Sequence, residues 1–124
     1  MNYFVKIRES IMIAHSLPDP FFGPAQNMHG ATFTVDVTFI SEKLNEFNVV
    51  IDMGEAHRIT KEVLSELNYK NLDELPQFKN QLSTTEHLAS YIQKKSKKEA
   101  TSVFDGTLNI TLGESHNAWA GVIE

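Results

Sequence analysis

The 124-residue sequence contains no cysteine, which excludes disulfides, thiolate metal ligands and a cysteine nucleophile. It holds no run of about 18 apolar residues that could cross a bilayer as a helix. Met1-Asn2-Tyr3 opens directly into a strand-like pattern, without the basic stretch and apolar centre of a secretory leader. A cytoplasmic location is the resulting expectation. Positive charge is scarce as well: 11 Lys and Arg against 16 Asp and Glu give a formal net charge of -5. A general nucleic-acid or anionic-membrane surface is therefore not expected, because such binding relies on Lys and Arg to neutralise phosphates. The one basic cluster, Lys94-Lys95 with Lys97-Lys98, falls near the end of a predicted helix, where cations complement the helix dipole.

What is present fits one globular domain spanning residues 1–124. A hydrophobic fraction of 41% with 22% charged residues is ordinary for such a chain, and a chain of this length buries roughly two thirds of its unfolded surface around a single core. Residues 3–17 alternate and then become apolar, predicting a strand. Residues 18–30, marked by Pro18, Pro20, Gly23, Pro24 and Gly30, predict a loop. In residues 31–40, Phe33, Val35, Val37 and Phe39 point one way and Thr32, Thr34, Asp36 and Thr38 the other, predicting a half-buried strand antiparallel to the first.

After a polar turn at 41–46 and the short apolar Val49-Val50-Ile51, Asp52 stands where a helix N-cap belongs. Ala56, Ile59, Val63 and Leu67 then recur at helical spacing to about Asn68. Residues 69–82 read as irregular around Pro76. Ser83 with Glu86 has the form of a capping box, opening a second helix to about Lys98. Leu108, Ile110 and Leu112 form a third strand ending at Glu114, Ser115-His116-Asn117 a turn or strand corner, and residues 118–123 the last strand. The order ββααββ predicts an α+β fold: a four-stranded antiparallel sheet with both helices on one face. Apolar residues on the other face would then call for a subunit interface, so a homo-oligomer is expected.

Three groups of residues stand out as candidate chemistry. His15 and His29 end two runs that pair as strands, so both imidazoles come to one end of one sheet. Imidazole is the commonest zinc ligand, and a catalytic zinc takes three protein ligands with one position open; two histidines alone are weak evidence for it, and spacing by itself favours satisfied or surface histidines. Glu114, at a strand end, could accept two donors from an aminopyrimidine edge or simply be solvated. Glu86 reads as a capping residue. His116 lies two positions beyond Glu114, on the same side if the strand continues, and is a candidate third ligand or a turn histidine. The spacing of Asn68 and Tyr69 singles out neither.

Taken together, these segments resemble the 6-pyruvoyltetrahydropterin synthase and 6-carboxytetrahydropterin synthase family over nearly the whole chain. Ile13-Ala14-His15-Ser16-Leu17 is similar to the family's Ala-His-Arg-Leu, and Met28-His29-Gly30-Ala31 to its Leu-His-Gly-His. Val50-Ile51-Asp52-Met53-Gly54 resembles Val-Ile-Asp-Phe-Gly, and Leu67-Asn68-Tyr69-Lys70-Asn71-Leu72-Asp73 resembles Leu-Asp-His-Lys-Asn-Leu-Asn. Ser83-Thr84-Thr85-Glu86-His87-Leu88-Ala89 resembles Pro-Thr-Thr-Glu-Asn-Leu-Ala, and Leu112-Gly113-Glu114-Ser115 the Glu-Thr that ends the third strand.

The resemblance implies the tunnelling fold, with trimers that close into a barrel and stack into hexamers, and a pterin bound between subunits. It implies Glu114 as the anchor of the pyrimidine edge, with Thr84, Thr85 and Glu86 beside it, and His15 and His29 as two zinc ligands. Three departures accompany it: the family's third zinc ligand falls on Ala31, its catalytic Cys on Ala25, and its Asp-His pair on Asn68-Tyr69. The leading expectation is a divergent zinc-dependent lyase acting on a dihydroneopterin-derived substrate. In it Tyr69 or His116 moves protons, or His116 completes the metal site. The alternative is a catalytically silent module that holds a pterin or purine, and a third is a purely structural oligomer.

Overall fold

A computed structural model describes all 124 residues. Two long strands, β1 (Tyr3–His15) and β2 (His29–Ser41), pair antiparallel along their whole length, from Tyr3 opposite Ser41 to His15 opposite His29. Helix α1 (Met53–Ser65), the two-residue strand β3 (Lys70–Asn71), helix α2 (Thr85–Glu99) and the strands β4 (Thr107–Ser115) and β5 (Ala118–Val122) complete the chain. The sheet order is β3-β1-β2-β4-β5. The expected four-stranded antiparallel sheet is therefore corrected to a five-stranded mixed one, because β3 adds a parallel edge against Ile13 and Ala14. That strand is too short to show a period of two, which is why the sequence pattern conceals it.

One sheet face is apolar. Ile7, Ile11 and Ile13 of β1, Phe33, Val35, Val37 and Phe39 of β2, and Leu108, Ile110 and Leu112 of β4 alternate into a single core. Both helices cover it, α1 through Ala56, Ile59 and Val63, and α2 through Leu88, Ala89 and Ile92. Asp52 caps α1, its carboxylate accepting from the Glu55 amide at 2.9 Å. The opposite face is mostly polar, contrary to the apolar second face from which an oligomer was expected. At its centre the Arg8 guanidinium holds Asp36 with two hydrogen bonds of 2.7 and 2.9 Å, among Lys6, Thr34, Thr38 and Thr111. On that face the exposed apolar residues Phe4, Met12 and Trp119 lie toward its margins.

The predicted loop 18–30 is mostly wound into 3-10 turns over Pro20–Gln26, kinked at Gly23, whose φ of 53° favours glycine. Residues 69–82 hold β3 and two further 3-10 turns, Leu72–Glu74 and Pro76–Phe78. Val49-Val50-Ile51 forms no strand; Val50 and Ile51 instead enter the core directly before Asp52. No helix is long and apolar enough to cross a membrane.

Candidate functional site

His15 and His29 close the β1–β2 ladder as direct partners, so their side chains share the helix-covered face. Their ring centroids lie 4.6 Å apart at 65°. His15 is buried and His29 half-buried. In each ring, Nδ1 meets an oxygen. His29 donates it to the Asn27 carbonyl at 2.8 Å; since a carbonyl only accepts, Nε2 is the free nitrogen of His29. His15 Nδ1 lies 3.0 Å from Ser83 Oγ. Burial pushes the His15 imidazole below its ordinary pKa and the neighbouring His29 adds to the push, while the Ser83 backbone and the charges of Asp73 and Glu114 pull the other way. The ring is accordingly neutral at pH 7.

Asp73 secures the end of β1: its carboxylate accepts from the Ser16 amide at 3.1 and 3.2 Å and from the Ser16 hydroxyl. The segment between β3 and α2 thus brackets His15 from two sides, with Asp73 on the next residue and Ser83 on the ring.

Glu114 stands where the β4–β5 pairing shifts register, between Gly113 and Ser115. Such bulges re-aim a side chain. Gly113 pairs with Thr34 of β2, and a Cβ at Gly113 would collide with the Thr34 hydroxyl and press on Trp119. Glu114 is the next residue after that last β2–β4 pair, so it follows the ladder toward the end of β2 that carries His29. Glu114 is exposed, yet close enough that its charge favours protonation of His15.

Thr84 is the N-cap of α2, its hydroxyl accepting from the His87 amide at 3.2 Å. The Ser83–Glu86 capping box is therefore corrected: the Ser83 side chain is engaged by His15, and the cap shifts one residue on. Thr85 and Glu86 form the first turn of α2, next to Ser83. Tyr69 is 79% exposed and held at φ 62°, a left-handed conformation uncommon outside glycine. A two-pronged clamp on Met12 offsets that strain: Asn68 Oδ1 accepts from the Met12 amide at 2.9 Å, and the Tyr69 amide donates to the Met12 carbonyl at 2.7 Å. Asn68 is thereby engaged in joining β3 to β1.

His116 lies exposed in the β4–β5 turn. No three His, Asp or Glu side chains of the chain come together in a metal-holding group, so His116 does not join His15 and His29 within one chain. Ala31, at the family's third-ligand position, pairs with Ile13 in the ladder. The residues that sequence reasoning passed over are Ser83, Asn27 and Asp73. Ser83 carried a competing signal as a cap, and the other two carried none.

None of the five best-formed grooves is lined by His15, His29 or Glu114. A groove of about 540 Å³ lined by Ser16, the residue after His15, runs past Pro18, Asp73 and Leu82.

The sequence model of the 6-pyruvoyl tetrahydropterin synthase family matches residues 4–124. No curated protein matches the chain by sequence. Among solved structures, the chain is similar to a Caenorhabditis elegans 6-pyruvoyl tetrahydropterin synthase with a TM-score of 0.85 at 22% identity, covering 100% of this chain and 96% of that one. A Plasmodium vivax 6-pyruvoyl tetrahydropterin synthase gives a TM-score of 0.78 at 16% identity, covering 100% and 98%. The Plasmodium falciparum 6-pyruvoyl tetrahydropterin synthase gives 0.77 at 17%, covering 99% and 98%. At these identities the structural likeness speaks for the fold alone.

Proposed function

The chain belongs to the 6-pyruvoyl tetrahydropterin synthase family, and from that membership we propose a pterin-synthase-like function: it binds a pterin or closely related heterocycle beside His15, His29 and Glu114 and acts on the ring's side chain as a lyase. The observation that carries this reading is the meeting of two imidazoles at 4.6 Å at the end of the sheet where Glu114 leaves the β4 ladder. A carboxylate there accepts two N–H donors from an aminopyrimidine edge, a charge-assisted pair that fixes the ring's orientation. Thr85 and Glu86, in the first turn of α2, flank the ring. His15, neutral at pH 7 and pressed against His29, is suited to take a proton from the ligand's side chain. Tyr69 and His116, both exposed, serve as proton carriers only in a cavity that a second copy closes over them.

Zinc is where the residues and the family pattern part. Two imidazoles with Nδ1 held by oxygen have the outer hydrogen bonding of metal-binding histidines. A catalytic zinc takes three protein ligands, however, and one chain supplies two. The residues of the single chain do not fit the family's catalytic zinc, and the proton steps above use only protein groups.

The pocket reading also calls for a homo-oligomer, a trimer or a hexamer, because none of the five best-formed grooves of one chain is lined by the pair. A second reading, a silent module that holds a pterin or purine, is favoured by one observation: Asn68, at the family's acid position, is engaged with the Met12 backbone.

Binding of neopterin by fluorescence, turnover of dihydroneopterin triphosphate and metal analysis of the purified protein test these readings together. Loss of charge-assisted hydrogen bonds predicts at least about tenfold weaker neopterin binding in Glu114→Gln. Unchanged affinity would remove Glu114 from the site. Binding without turnover selects the silent module. Stoichiometric zinc retained by the protein would restore the metal-dependent lyase.

A further inference from the structure

Ser83 is only 2% exposed, and its hydroxyl has one side-chain contact, the 3.0 Å approach to His15 Nδ1. It lies one residue before the cap of α2, where the Leu88 amide bonded to the Thr84 carbonyl at 2.9 Å fixes the backbone. A buried imidazole chooses its tautomer through the partner of one nitrogen. For His29 that partner is the Asn27 carbonyl. For His15 it is Ser83, 68 positions away in the chain.

We propose that Ser83 is a positioning residue: it accepts the Nδ1 proton of His15 and leaves Nε2 as a bare acceptor, the same state that Asn27 imposes on His29. Two acceptor nitrogens side by side select a ligand that donates there. The proposal rests on the heterocycle reading for its ligand, and it narrows that ligand to a ring whose side chain carries hydroxyls, as against one that carries a carbonyl at the same place.

Two measurements on the full chain test it. Long-range proton–nitrogen correlation spectra of protein labelled in its histidines, taken at one neutral pH, read the tautomers with no ligand present. Both His15 and His29 are expected as the Nδ1–H form. Ser83→Ala is expected to bring His15 into mixed tautomers while His29 keeps its signals, and Ser83→Thr to restore the wild-type pattern. In the second measurement, neopterin affinity falls about fivefold in Ser83→Ala, the loss of roughly one hydrogen bond, while that of 6-formylpterin does not fall. An Nε2–H form of His15 in the wild type would overturn the assignment, as would unaltered His15 signals in Ser83→Ala. If Ser83→Ala does not fold, the wild-type spectrum still decides. If neither pterin binds the wild type but the spectra behave as expected, the heterocycle reading fails and the positioning role of Ser83 stands.

Discussion

His15 and His29 face each other directly across the last rung of the β1–β2 ladder, rings 4.6 Å apart. Thirteen consecutive rungs set that relationship, from Tyr3 opposite Ser41 to the histidines themselves. A slip of one residue would turn one imidazole to the polar face. The site thus depends on register along the whole length of the two strands, and several residues remote from it become testable.

The Arg8–Asp36 pair should govern acid stability. Hydrogen bonds from Arg8, then the positive charges of Arg8 and Lys6, hold the Asp36 carboxyl below its ordinary range against the opposing effect of burial. A depressed folded-state pKa contributes stability that is complete above the unfolded value, near 4, and lost as pH falls through the lower folded value. Replacing Arg8 by Met should therefore move the midpoint of acid unfolding to higher pH, followed by circular dichroism. An unmoved midpoint would mean that Asp36 is held by something other than Arg8.

Ser96 carries a fully buried hydroxyl with no hydrogen-bond partner. An unsatisfied buried polar group costs about 1 to 3 kcal/mol, so Ser96→Ala should be neutral or more stable by about 1 kcal/mol, with the slope of a urea titration unchanged. Clear destabilisation would show that the hydroxyl has a partner in solution.

Thr84 and Ser83 separate capping from positioning. Thr84→Ala removes the hydroxyl that accepts from His87 and should cost about 1 kcal/mol of stability. It should leave the His15 ring signals where they are. If Thr84→Ala were silent in stability while Ser83→Ala frayed α2, the assignment of the cap would be reversed.

The proposed oligomer has a specific place to form. β3 covers β1 only at Ile13 and Ala14, leaving the rest of that edge without a strand partner. Beside the N-terminal part of β1 lies an apolar groove of about 680 Å³ lined by Tyr3, Phe4, Val49 and Met53. Exposed edges and apolar grooves favour association. Sedimentation should give a multiple of the chain mass for the wild type and a monomer for Phe4→Glu, with neopterin affinity lost alongside. A monomeric wild type that binds neopterin fully would show the site complete in one chain.

Residue patterning made the long elements legible. Alternation in residues 31–40 and 108–112 and the 3.6-residue spacing after Asp52 each reflect a periodic backbone laid against one core, so local sequence carries the signal. The ends of two strands likewise announced that His15 and His29 would meet, since antiparallel pairing is a local rule. Other features lay beyond reach. The strand β3 has two residues, too few for any period, and exists because Asn68 and Tyr69 clamp Met12.

Ser83 read as a cap because a cap is a local pattern. Its contact with His15 spans 68 positions, and no spacing rule extends over that distance. The amino-acid order determined which residue types are available: two imidazoles, one carboxylate at a strand end, no thiol and an alanine at position 31. Tertiary packing alone decided which oxygen each imidazole meets and that no third His, Asp or Glu of the same chain joins them. Side-chain partnership is a matter of distance in space, and that is fixed only once the sheet, both helices and the segment between β3 and α2 close on a common core.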